Sequence, residues 1–133
     1  MSDNSQNGRG EQKCRLLYVD DDPDIREIAA MALELDGGFE VATADCGSAA
    51  LAKASAWHPD VILLDVMMPD MDGPQTLQAL RGEAELSEAV VFFITARTRP
   101  SEVEHLLSLG AVAVIPKPFD PMMLAMEVRR GLP

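Results

Sequence analysis

The stretch Val61-Ile62-Leu63-Leu64-Asp65-Val66-Met67-Met68-Pro69-Asp70-Met71-Asp72-Gly73 decides the fold. Its first four residues are apolar without alternation, the pattern of a strand buried on both faces. Asp65 ends the run. A Met/Pro/Asp/Gly loop from Met67 to Pro74 then leads into a helix through about Arg81. The same strand-then-helix unit recurs on both sides. Upstream, residues 15–19 form a strand candidate. Asp22-Pro23 opens a helix, with Asp as N-cap and Pro at the first helical position. Ile25, Ile28, Ala29, Ala32 and Leu33 recur at helical spacing as one apolar face, and Asp36-Gly37-Gly38 stops it. Residues 39–43 alternate as a short strand, residues 48–57 are Ala-rich and helical, and His58-Pro59-Asp60 breaks that helix. Downstream come a strand at 90–94, a helix at 101–109 ended by Gly110, and a strand at 112–115. Asp120-Pro121 then opens a last helix to about Arg130. Five strands and five helices in strict alternation predict an α/β fold: a parallel sheet with helices on both faces.

Composition bounds the rest. The chain has 133 residues, room for one ordinary domain, and 47% are hydrophobic, enough for one core. The formal net charge of −11 argues against nucleic-acid binding and against an anionic membrane surface. No apolar run approaches the ~20 residues that span a bilayer, and no signal-peptide core opens the chain. Residues 1–13 are polar and aperiodic, which predicts a flexible N-terminal tail before a domain over 14–133. Cys14 and Cys46 make neither a zinc site nor a disulfide framework. The cytoplasm is the expected compartment.

Ligands of open parallel sheets bind beyond the carboxyl ends of the strands. Asp20, Asp21 and Asp22 follow the first strand, Asp65 ends the third, Thr95 the fourth, and Lys117 follows the fifth between two prolines. Converging carboxylates repel one another, so a cation is expected, and an oxygen-only set favours Mg²⁺ or Mn²⁺ over Zn²⁺. A hydroxyl and an ammonium beside that cation suit a phosphoryl group. One carboxylate is then a nucleophile that forms an acyl phosphate, and Asp65, at the centre of the sheet, is the best placed.

Each residue also has an ordinary role. Asp22 and Asp120 read as helix caps, Asp70 and Asp72 as turn residues, and Asp60 as structural at the opposite edge. Thr95 alone is a strand-end hydroxyl and Lys117 alone a solvated charge. His58 reads as a surface turn residue, His105 as a helix-face residue, and Met122, Met123 and Met126 as packing on the last helix. Joint occurrence at one edge separates the site from these readings.

On these residues the chain resembles the receiver domain of two-component response regulators, of the stand-alone kind found in chemotaxis. Leu16 to Glu27 is similar to that family's first strand and helix, Val61 to Gly73 to its phosphoacceptor segment, and Thr95-Ala96 and Lys117-Pro118-Phe119 complete the match over roughly 14–131. The resemblance implies a flavodoxin-like strand order of 2-1-3-4-5. It implies phosphorylation of Asp65 by a histidine kinase or histidine phosphotransfer protein. It implies metal ligation by Asp21 and Asp65 and by the backbone carbonyl of Met67, with Asp20 acting through a bound water. Thr95 and Lys117 would engage the phosphoryl group, and the small Ala96 would keep access open. A cis Lys117-Pro118 bond is also implied. The domain would not be an enzyme beyond its own phosphoryl acceptance and autodephosphorylation. With the chain ending at Pro133, it would bind a downstream protein through the helix four, strand five, helix five face, or relay phosphate, as a monomer or a phosphorylation-dependent dimer.

Two features depart from the family pattern. Val114 stands where the family often has a switch aromatic, three residues before Lys117. Met67 and Arg97, each two residues after a site residue, line the approach to the phosphoryl group and are expected to tune its lifetime. Other functions remain alternatives. A phosphate-independent protein-binding module needs no transfer at all. An aspartate-nucleophile phosphatase wants a second Asp at position 67, where Met67 stands. A flavin-binding module needs a Ser/Thr/Gly-rich loop where the three aspartates stand.

Overall fold

A computed structural model describes residues 13–133. The tail expected over 1–13 falls almost wholly outside the described residues. The elements alternate as expected: β1 (Cys14–Val19), α1 (Pro23–Asp36), β2 (Phe39–Ala44), α2 (Gly47–Trp57), β3 (Val61–Asp65), α3 (Gly73–Arg81), β4 (Val90–Thr95), α4 (Pro100–Ser108), β5 (Ala113–Pro116) and α5 (Pro121–Gly131). All strand pairs are parallel, in the order β2-β1-β3-β4-β5. A short 3-10 turn at Ala84–Leu86 between α3 and β4 carries no apolar period and is new relative to the sequence reading.

The side-chain alternation of the strands divides the core into two layers. Leu17, Val19, Ile62, Leu64, Val91 and Phe93 point to the layer with α2, α3 and α4. Leu16, Tyr18, Val61, Leu63, Phe92 and Ile94 point to the layer with α1 and α5. β3, covered on both faces, is buried at all five positions. β5 is an edge strand, so Pro116 deprives no neighbour of a ladder bond.

The helix ends follow from local chemistry. Asp22 accepts from the N–H groups of Asp24 and Ile25, and Asp120 from that of Met122. Gly37 closes α1 at φ 86°, in the left-handed region that glycine enters without a Cβ clash. Asp60 accepts from the Arg15 N–H at 2.9 Å at the far edge of the sheet, the structural role expected of it. His58 caps α2 with φ 55° and lies 3.3 Å from Glu85.

Three expectations need correction. Asp72 is more than a turn residue: it caps α3 in a reciprocal box with Gln75, which the Asp-x-x-Gln spacing permits. Ile28 is not on the buried face of α1. It is 48% exposed and belongs to a second apolar stripe with Met31 and Leu35, while Ala29 and Leu33 face the sheet. On α5, Leu124 and Val128 supply the packing, and Met122 is 86% exposed.

Candidate functional site: an acidic pocket at the carboxyl edge of the sheet

The parallel register brings the ends of β1, β3, β4 and β5 to one edge: Val19 pairs with Leu64, Asp65 with Ile94, and Thr95 with Pro116. Asp20, Asp21 and Asp65 each place a carboxylate oxygen within 4.8 Å of the others. Asp20 and Asp65 are buried and Asp21 is exposed, so the cluster has a dry floor and an open side. Lys117 reaches over from beyond β5. Its Nζ lies 2.9 Å from Asp20 Oδ2 and 3.3 Å from Asp65 Oδ2. The Lys117-Pro118 bond is cis.

Asp20 is the most tightly held of the three. Its Oδ1 accepts from the Asp22 N–H at 2.9 Å, and its carbonyl accepts from the Arg26 guanidinium at 2.9 Å. Its Oδ2 lies 3.3 Å from the Tyr18 hydroxyl as well as beside Lys117. Sequence reasoning missed Tyr18 and Arg26 as neighbours of the site. Tyr18 reads as one more apolar residue of a strand, but its position two before Asp20 puts both on one face.

The electrostatics follow from this crowding. Burial, and then the Asp20 charge, push the Asp65 carboxyl up to about 6, with Lys117 opposing them. Burial works against the Lys117 ammonium, but its bond to Asp20 and the Asp65 charge hold its pKa above the ordinary lysine value. Burial, and then the charge of Asp20, push the Tyr18 phenol well above the usual tyrosine range. Three carboxyl groups face a single ammonium. An all-oxygen donor set of this kind suits a hard divalent cation such as Mg²⁺.

The remaining predicted positions lie on β4, on β5 and in the loops that follow β3 and β4. Thr95 is buried at the end of β4, where its Oγ1 accepts from the Arg97 N–H at 3.0 Å. Ala96 is exposed beside it. Met67, Thr95 and Arg97 share the wall of a 340 Å³ cleft reaching towards α4, and Met67 is 63% exposed. Arg97 reaches to within 3.8 Å of Glu102 on α4. Val114 packs into the α2–α4 layer and carries no ring. The aromatic pair near the pocket is Tyr18 against Phe119, edge to face at 6.5 Å.

Gly73 fixes the back of the pocket. A Cβ there would stand 2.7 Å from the Asp65 carbonyl oxygen and 2.9 Å from Val66 Cα, both backbone atoms. Gly73→Ala is therefore expected to destabilise the fold by about 1–3 kcal/mol. Urea denaturation reads this as a lower midpoint, and an unchanged midpoint means that the loop moves aside freely.

Comparison with known proteins places these features in a common frame. A family model described as the response regulator receiver domain matches residues 16–129. The DNA-binding response regulator MtrA of Mycolicibacterium smegmatis is 36% identical over 118 residues, covering 89% of this chain and 50% of its own. Response regulator Rre1 of Synechocystis is 38% identical over 117 residues, covering 88% and 51%. The chain thus spans about half the length of these curated relatives. Among solved structures, the chemotaxis response regulator CheY4 of Vibrio cholerae superposes with a TM-score of 0.85 at 35% identity, covering 91% of this chain and all of that one. The receiver domain of the NarL response regulator of Mycobacterium tuberculosis gives 0.81 at 38% identity, covering 90% and 95%. Among the described residues, no helix is long and apolar enough to cross a membrane.

Proposed function

The chain belongs to the response regulator receiver domain family, and we propose that it is a working phosphoacceptor, with Asp65 as the residue that takes the phosphoryl group. The observation that carries this reading is the meeting of Asp20, Asp21 and Asp65 within 4.8 Å, with Lys117 set between two of them. The donor is a phosphohistidine on a histidine kinase or phosphotransfer protein. A carboxylate oxygen of Asp65 forms a bond to phosphorus while the P–N bond breaks, and the electron pair stays on the imidazole nitrogen. Asp21, Asp65 and the Met67 carbonyl would hold a Mg²⁺ or Mn²⁺ ion, with Asp20 acting through a bound water, and the ion would supply positive charge to the oxygens of the transferring group. Lys117 pairs with one phosphoryl oxygen and the Thr95 hydroxyl donates to another. The Thr95 hydroxyl can donate there while its oxygen still accepts from the Arg97 N–H, so the start of the β4–α4 loop is tied to the residue that meets the phosphoryl group.

The phosphoryl group then shifts a two-state equilibrium that favours a downstream protein, or passes onward in a relay. The face built from α4, β5 and α5 is the docking surface. Val114 rules out an aromatic swing at that position, so the switch runs through backbone and α4 displacement. The net charge of −11 leaves this domain without a nucleic-acid contact of its own. It works in the cytoplasm, and its only chemistry is on itself: acceptance and loss of phosphate, at a rate set in part by Met67 and Arg97. Turnover of external phosphoesters as a phosphatase is disfavoured, because Met67 provides no general acid.

Intact-mass spectrometry with Mg²⁺ and acetyl phosphate tests the reading. The expected result is a gain of one phosphoryl group, lost with EDTA and absent from Asp65→Asn. No gain where a control receiver is labelled, with the cognate kinase also failing, leaves a phosphate-independent binding module as the function.

A further inference from the structure

We propose that Tyr18 is a positioning residue of the carboxylate pocket, whose hydroxyl holds Asp20 Oδ2 and moderates how tightly the pocket takes a divalent cation. The inference rests on the metal-dependent reading above. Tyr18 lies fully buried in β1, on the same face as Asp20 and in the layer with α1 and α5. Its ring is fixed edge-on against Phe119, in the connection that follows Lys117. A buried phenol needs a partner, and its hydroxyl meets Asp20 Oδ2 at 3.3 Å, the oxygen that Lys117 also contacts at 2.9 Å. That oxygen therefore already faces two donors.

The sign of the effect follows. A hydrogen bond to a carboxylate is strongest when the charge is otherwise uncompensated. Tyr18 thus stabilises the metal-free pocket more than the metal-filled one, and so competes with the cation. Asp20 keeps its bonds from Asp22 N–H and Lys117 without the phenol, so its orientation survives Tyr18→Phe. Removing the hydroxyl is then expected to tighten Mg²⁺ binding by about threefold to tenfold, the net worth of an ordinary hydrogen bond, since 3.3 Å is long for a bond to a carboxylate. A residue whose ring only packed the core would leave Mg²⁺ binding unchanged, because Phe keeps the ring against Phe119.

Calorimetric Mg²⁺ titration of the wild type and Tyr18→Phe provides the test. The chain has a single tyrosine, so 3-fluorotyrosine labelling adds a second readout from one ¹⁹F resonance that needs no variant. The expected result is tighter binding by the Phe variant and a resonance that moves on Mg²⁺ addition. Equal or weaker binding by the variant, or a fixed resonance while the wild type binds Mg²⁺, overturns the role of Tyr18 alone. A wild type that binds no Mg²⁺ overturns the metal-dependent reading with it.

Discussion

Lys117→Ala lowers the stability of the metal-free protein by about 3 kcal/mol, the usual cost of leaving buried charge without its partner. Asp20 is fully buried and Asp65 nearly so, and the Lys117 ammonium lies within 3.3 Å of both. Removing it leaves two facing carboxylates whose remaining donors are neutral N–H and O–H groups. A Mg²⁺ ion held by these carboxylates would supply positive charge at the same place, so the variant is expected to gain more from Mg²⁺ than the wild type does. Urea denaturation of both proteins, with and without Mg²⁺, measures the two differences. Equal stabilities in EDTA contradict this electrostatic account of the pocket.

Asp65→Asn acts in the opposite direction. The Asp65 carboxyl is raised from an ordinary 3.8 to about 6, chiefly by burial. A raised carboxyl pKa means that the fold prefers the protonated form. That preference is fully expressed below the unfolded value and is lost as pH rises through about 6. In metal-free buffer at pH 8 the wild type therefore bears the whole penalty, and Asp65→Asn is expected to be more stable by about 2 kcal/mol. The gap narrows across pH 6 and closes near pH 4. Denaturation midpoints at a series of pH values read it directly; a gap constant with pH assigns the gain to something other than ionisation. The residue proposed to accept phosphate thus costs the empty domain stability, as strained functional groups do.

Much of this architecture was legible in the sequence because single residues carry it. Asp22-Pro23 and Asp120-Pro121 mark helix starts by chemistry, Gly37 marks an end, and the apolar run before Asp65 marks the buried central strand. The pocket was legible for the same reason: parallel strands deliver whatever follows them to one edge. What stayed hidden depends on which way a face turns. α1 carries two apolar stripes, and periodicity alone does not say that Ala29 and Leu33 face inward while Ile28 faces out. Tyr18 was hidden because an aromatic residue in an apolar strand reads as core. Only the packed layer shows that its hydroxyl reaches the acid cluster.

The central claim is that the side chain of Asp65 carries the phosphoryl group, and borohydride trapping tests it most directly. An aspartyl phosphate is an activated acyl group that borohydride reduces to homoserine, and peptide mass spectrometry locates the product. After phosphorylation with Mg²⁺ and a phosphodonor, the account predicts homoserine at position 65 and at no other aspartate. Homoserine at Asp20 or Asp21, or phosphate retained on a histidine or serine with position 65 intact, contradicts it.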